Sequence, residues 1–194
     1  MVNLEKGAKV ILTKEDGSTL TKAIIGLGWD CKQSGAAGAD FDLDASLYML
    51  DANGKIAGGN KRNFIYFGNL TSPDGSIVHT GDNLTGDGDG DDEQIKIDLA
   101  AVPAEVEKLV VVVNIYQADT RHQNFGMVEN SFIRLVDISS GEVETLHFDL
   151  NFDASTATGV KFATIFRKNG GWAFSADQVE FDGGLAALNV EYGV

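Results

Sequence analysis

The chain is poor in the residues that build redox and soft-metal chemistry. It has one cysteine, Cys31, in 194 residues. A lone thiol closes no internal disulfide and builds no thiolate zinc site. Without a resolving partner it is also a poor electron donor through thiol exchange. The three histidines, His79, His122 and His147, are too widely spaced for helix-borne metal motifs. Basic residues are scarce as well: 15 Lys plus Arg stand against 29 Asp plus Glu, a net charge of −14. That charge repels nucleic acid and anionic lipid unless a cation intervenes. No apolar stretch approaches the ~20 residues of a membrane-spanning helix. The longest is LVVVV at 109–113. The first ten residues, MVNLEKGAKV, lack the basic-then-apolar plan of a secretion signal. The expectation is a soluble cytoplasmic protein of one domain, residues 1–194, with no direct membrane span.

Proline is nearly absent, at two residues, whereas glycine is abundant at 23, so the punctuation is that of turns rather than of a stiff linker. Between those turns lie ten β-rich runs, at 10–12, 23–29, 41–50, 64–67, 94–99, 109–117, 131–137, 143–148, 160–167 and 171–174. Many short strands with little helix predict an all-β fold, a sandwich or a barrel, and the expectation carried forward is a two-sheet β-sandwich with little helix. The 109–113 run shows no alternation, as expected of a strand buried on both faces. Residues 185–192 read as a short helix after Gly183 and Gly184, and 100–107 as a turn around Pro103. Most aromatic residues fall at strand positions and read as core.

What the sequence does have is acid, concentrated in two places. Between Gly81 and Glu93 the chain reads GDNLTGDGDGDDE, with Asp82, Asp87, Asp89, Asp91, Asp92 and Glu93 and no base among them. Six carboxylates this close repel one another, so the loop either takes a counter-cation and is compact or stays open in water. The second group is Asp40, Asp42 and Asp44, alternating with Phe41, Leu43 and Ala45. On a strand that pattern puts the carboxylates on one face and the apolar side chains on the other. Asp disfavours strands, so the acidic face needs a compensating partner. Asp30, following Trp29, is a further candidate.

The donors on offer are hard oxygens: carboxylates, glycine-loop carbonyls, the Asn83 amide and the Ser46 hydroxyl. Such a set suits Ca²⁺ or Mg²⁺, and the glycine-rich loop favours the more flexible coordination of Ca²⁺. An EF-hand does not fit. Counting from Asp87, the sixth position is Asp92 instead of glycine and the twelfth is Asp98 instead of glutamate. The glycines do not read as a phosphate cradle, since their neighbours are acidic. No nucleophile elbow, Walker loop or paired base is present, and the expectation is a protein that is not an enzyme.

Several longer motifs, in order, carry a family likeness. They are Gly28-Trp29-Asp30, then Asp40-Phe41-Asp42-Leu43-Asp44-Ala45-Ser46, then Asn63-Phe64-Ile65-Tyr66-Phe67-Gly68-Asn69. His79-Thr80-Gly81-Asp82-Asn83-Leu84-Thr85-Gly86 runs on into Asp91-Asp92-Glu93-Gln94-Ile95, and Asn130-Ser131-Phe132-Ile133-Arg134 follows. Over nearly its whole length the chain resembles the TerD family of bacterial tellurium-resistance and general stress proteins. The resemblance implies a β-sandwich that binds Ca²⁺, as a pair of neighbouring ions, through the two acidic segments. Carried onto this sequence, the candidate ligands are Asp30, Asp40, Asp42, Asp44, Asp82, Asn83, Asp87, Asp89, Asp91, Asp92 and Glu93. Two ions cannot use all of these directly, so some would orient ligands or waters. The resemblance further implies a role in stress response beside other Ter-operon proteins, including a membrane-embedded TerC-type protein. That would place the chain in the cytoplasm, at the inner face of the membrane through its partners. Two functional readings follow: a calcium-organised acidic surface presented to partner proteins, or a calcium-dependent peripheral membrane-binding module.

Overall fold

The computed structural model describes residues 2–14, 16–30, 41–81, 90–128, 130–139, 141–149 and 155–194. Two six-stranded sheets pack face to face. The first has the order β1 (Val2–Asn3), β10 (Val143–Asp149), β9 (Phe132–Asp137), β3 (Lys22–Gly28), β7 (Glu93–Asp98), β6 (Ile77–His79). The second runs β2 (Lys9–Ile11), β12 (Gly171–Phe181), β11 (Gly159–Lys168), β8 (Lys108–Ile115), β4 (Leu43–Leu50), β5 (Phe64–Ile65). All pairings are antiparallel except β1 with β10. The all-β sandwich expected from the sequence is the observed architecture.

One core fills the space between the sheets. On the first sheet Ala23, Ile25, Leu27, Ile95, Ile97, Ile133 and Leu135 point inward. On the second, Leu43, Ala45, Leu47, Met49, Leu109, Val111 and Val113 meet them. The period of two places Asp42, Asp44, Ser46 and Tyr48 on the outer face of β4. A second apolar layer lies over that face. Helix α2 (Gly184–Tyr192) sets Leu188 and Tyr192 against Tyr48, Leu50, Ile56, Phe64, Val110 and Val112. β8 is therefore buried on both sides, which is why its LVVVV run does not alternate. The Tyr48 phenol donates to Asn189 Oδ1 at 2.9 Å, and its burial raises its pKa well above the ordinary tyrosine value.

One end of the sandwich is closed by side chains. Arg167 donates to the carbonyls of Val106, Val102 and Pro103 at 2.9 to 3.0 Å and lies 4.4 Å from the centre of the Trp172 ring. The indole N–H of Trp172 donates to Leu99 O. These bonds satisfy carbonyls of Leu99, Val102, Pro103 and Val106, in and beside the turn expected at 100–107.

The described strands number twelve rather than ten. The additions are β1 and β6, two and three residues long. β12 also runs seven residues past its expected end. Its pairing with β11 shifts register beside Gln178, whose φ is +45°, and that bulge breaks the alternation. A four-residue helix, α1 (Ala118–Arg121), occupies the polar segment after β8.

Candidate metal centre

The end opposite Arg167 gathers the described parts of both acidic segments. There β3 ends at Gly28, β7 starts at Glu93, β6 ends at His79, β4 starts at Leu43 and β8 ends at Ile115. The Trp29 indole N–H donates to Phe41 O at 3.0 Å, tying the ends of the two sheets together. Asp40, Asp82, Asn83, Asp87 and Asp89, and also Cys31, lie outside the described residues.

The described candidates divide among five environments. Asp42 and Asp44 are on the outer face of β4, only 3% and 2% exposed. Arg121 on α1 reaches back to Asp42 Oδ2 at 3.2 Å. Asn114 on β8 pairs across the strands with Asp44, its Nδ2 donating to Asp44 Oδ2 at 3.0 Å. That bond fixes the amide orientation and leaves Asn114 Oδ1 buried with no hydrogen-bond partner among the described residues. Ser46, next along the same face and fully buried, is in the same condition at Oγ.

Asp91, Asp92 and Glu93 enter β7 with their side chains sent three ways. Asp91 turns to the outer face of the first sheet. Arg134 on β9 grips it in a bidentate pair, Nε to Oδ1 at 2.7 Å and Nη2 to Oδ2 at 3.1 Å, while Gln94 Nε2 adds a bond at 3.0 Å. Gly26 makes this possible, since a Cβ there would stand 2.3 Å from the Asp91 carboxyl carbon. Arg134 also donates to Glu144 at 2.8 Å, and Glu144 Oε1 lies 3.2 Å from His147 Nδ1. The guanidinium is raised, first by its bond to Asp91, and the Glu144 carboxyl is held below the usual carboxylate range, first by its bond from Arg134. Asp92 accepts from the Trp29 backbone N–H at 3.0 Å. Asp30 is exposed and accepts from Asn130 Nδ2 at 2.6 Å.

Glu93 points inward, in line with Ile95 and Ile97. Its Oε2 accepts from the Ala45 backbone N–H of the opposite sheet at 2.8 Å. His79 Nε2 lies 3.1 Å from Ala45 O and 3.5 Å from Glu93 Oε2. Because His79 Nδ1 accepts from Gly81 N–H, the ring proton belongs on Nε2, which donates to Ala45 O. At Ala45 β4 pairs with Val113 of β8 on one side, while on the other side β5 reaches only Leu47 and Tyr48, and among the described residues no strand faces Ala45 there. Two side chains from the other sheet satisfy the backbone groups there.

Among the described residues no three His, Cys, Asp or Glu side chains form a group that could hold a metal ion. The described acids are instead shared out: Asp91 to Arg134, Glu93 to Ala45, Asp92 to Trp29. The donor set on the outer face of β4 does fit a hard cation. It comprises two buried carboxylates, an amide oxygen and a hydroxyl, and the last two lack partners among the described residues. Sequence reading missed Asn114. Its signal was a lone polar residue closing an otherwise apolar, doubly buried run.

The fold and site define a class: an acidic two-sheet sandwich with the described candidate carboxylates at one end. The chain belongs to the TerD family; the TerD domain model matches residues 1–192. It is 48% identical over 193 residues to tellurium resistance protein TerD of Serratia marcescens, covering 100% of this chain and 97% of that one. It is 45% identical over 193 residues to general stress protein 16U of Bacillus subtilis (strain 168), with the same coverage of 100% and 97%. The crystal structure of a homologue of telluride resistance protein from Streptomyces coelicolor A3(2) superposes with a TM-score of 0.71 at 24% identity, covering 90% of this chain and 98% of that one. That likeness confirms the sandwich. Among the described residues no helix is long and apolar enough to cross a membrane.

Proposed function

We propose that this member of the tellurium-resistance and stress-response family is a calcium-binding protein that works by binding rather than by catalysis. Its calcium-organised acidic end would be the surface offered to partner proteins, the other products of the Ter operon and a TerC-type membrane protein among them. One observation carries this reading: Asn114 Oδ1 and Ser46 Oγ are buried without a hydrogen-bond partner among the described residues, beside the buried carboxylates of Asp42 and Asp44. Burying unpaired oxygens next to buried negative charge costs free energy that a hard divalent ion would recover. Asp42, Asp44, Ser46 and Asn114 would contribute donors on that face. Asp40, Asp82, Asn83, Asp87 and Asp89 remain candidates by sequence. Asp91, Asp92 and Glu93 would act mainly by anchoring the second acidic segment. When bound, calcium would neutralise carboxylates that otherwise repel one another.

The test is calorimetric titration of chelator-stripped protein with Ca²⁺ and, separately, Mg²⁺. Saturable uptake of Ca²⁺ in preference to Mg²⁺, with a raised melting temperature, supports the reading. A flat calcium titration together with an unchanged melting curve overturns it.

A further inference from the structure

Asp42 is buried on the outer face of β4, where a carboxylate is costly unless a cation answers it. The fold supplies one in Arg121, half-buried on α1, whose Nη1 lies 3.2 Å from Asp42 Oδ2. The contact runs through one guanidinium nitrogen, whereas Arg134 grips Asp91 with two. A single-pronged pair is the weaker and the easier to part.

Arg121 makes this reach from an uneasy platform. α1 is one turn long, and the residues flanking it, Gln117 and His122, both stand in the left-handed region with φ of +52° and +54°. Neither is glycine, so the conformation costs free energy and persists because surrounding contacts hold it. The guanidinium also has a second resting place. Its carbon lies 5.3 Å from the centre of the Tyr116 ring. That ring is held: the Tyr116 N–H donates to Asp42 O at 2.8 Å, and the ring meets Phe67 edge to face at 5.9 Å. Tyr116 is exposed, so this second place opens to water.

A hard cation among Asp42, Asp44, Ser46 and Asn114 would bring two positive charges to a carboxylate that already faces one. A guanidinium keeps its proton at any ordinary pH, so the conflict is resolved by movement and not by titration. We infer that Arg121 is the built-in competitor of calcium: it holds the Asp42 carboxylate in the ion-free protein, yields it when calcium binds by shifting onto the Tyr116 ring, and so sets how tightly the ion is held. This rests on the calcium reading and adds to it the residue that governs affinity. Arg121 acts through Asp42 and is no ligand itself.

The experiment is calorimetric titration of chelator-stripped wild type, Arg121→Gln, Arg121→Lys and Lys168→Gln with Ca²⁺. Lys168 is an exposed residue at the end of β11, so its variant makes the same change in net charge away from the site. The expected result is calcium held about tenfold tighter by Arg121→Gln, and within a few-fold of wild type by Arg121→Lys and Lys168→Gln. In chelator Arg121→Gln should melt below wild type, because Asp42 has lost its cation, and saturating calcium should close the gap. In wild-type protein the NMR signals of the Arg121 Nε–H group and of the Tyr116 ring protons should move together as calcium is added. Those spectra decide the matter even where Arg121→Gln fails to fold in chelator. Unchanged or weaker calcium binding by Arg121→Gln, an equal gain in Lys168→Gln, or an Arg121 signal unmoved at saturating calcium overturns this inference alone. Absence of calcium uptake by wild type overturns the calcium reading and this inference with it.

Discussion

Glu93 and Ala45 sit on opposite sheets, yet the Glu93 carboxylate accepts the Ala45 backbone N–H at 2.8 Å. His79, from the same sheet as Glu93, takes the carbonyl of the same residue. Together they do for β4 what a neighbouring strand would do. Truncation would strand buried backbone groups at a cost of about 1–3 kcal/mol each. We expect Glu93→Ala and His79→Ala each to lower stability by that order in chelator-treated protein. The two changes should be non-additive, since both act on one peptide unit. Denaturant melts of the single and double variants measure this. Wild-type stability of Glu93→Ala without calcium would mean that Glu93 serves a metal and not the seam.

Gly26 leaves the space that the Asp91 carboxylate fills. Gly26→Ala would drive a Cβ into it and displace Asp91 from Arg134. The expected cost is about 1–3 kcal/mol, from overpacking and a loosened ion pair. Thermal melts of Gly26→Ala beside Arg134→Ala test this. Both should fall, and combining them should cost less than the sum.

The same arginine sets a pH dependence. Its bond to Glu144 depresses that carboxyl in the folded state. A group with a depressed folded value contributes stability that is fully present above the ordinary carboxylate range and lost as pH falls through the folded value. Wild type should therefore lose stability on acidification below the usual glutamate range. Glu144→Gln should lower the melting temperature at neutral pH, where the contribution is fully present, and flatten the fall on acidification, so that the two proteins converge in acid. Melting temperature against pH for the two proteins decides it.

Ser46 separates structure from ion binding. A buried hydroxyl without a partner is costly, so Ser46→Ala should leave calcium-free protein as stable as wild type, or more stable by about 1 kcal/mol. Calcium affinity should fall. Melting curves with chelator and a calcium titration check the two halves, and unchanged affinity would remove Ser46 from the donor set.

Legibility in the sequence followed the physics of alternation. The Asp42/Asp44 face was readable because Phe41, Leu43 and Ala45 marked the opposite side as core. β8 was readable because burial on both faces erases alternation. β6 was not, since three residues give no period, and the end of β12 was hidden by the bulge near Gln178. In the candidate site, acid density was visible and its use was not. The partners of Asp91 and Asp42 are Arg134 and Arg121, 43 and 79 residues away in sequence. Nothing local marks such pairs. Glu93 was recoverable in principle, as it shares the phase of Ile95 and Ile97 and so belonged with the core.

Each sheet also finishes in stubs. β1 and β5 have two residues each, β2 and β6 three each. A neighbouring copy seeking to add itself as another strand would find almost no ladder to join. The brevity of those margins thus works against fibril-like stacking of copies, beside the mutual repulsion of a chain of net charge −14.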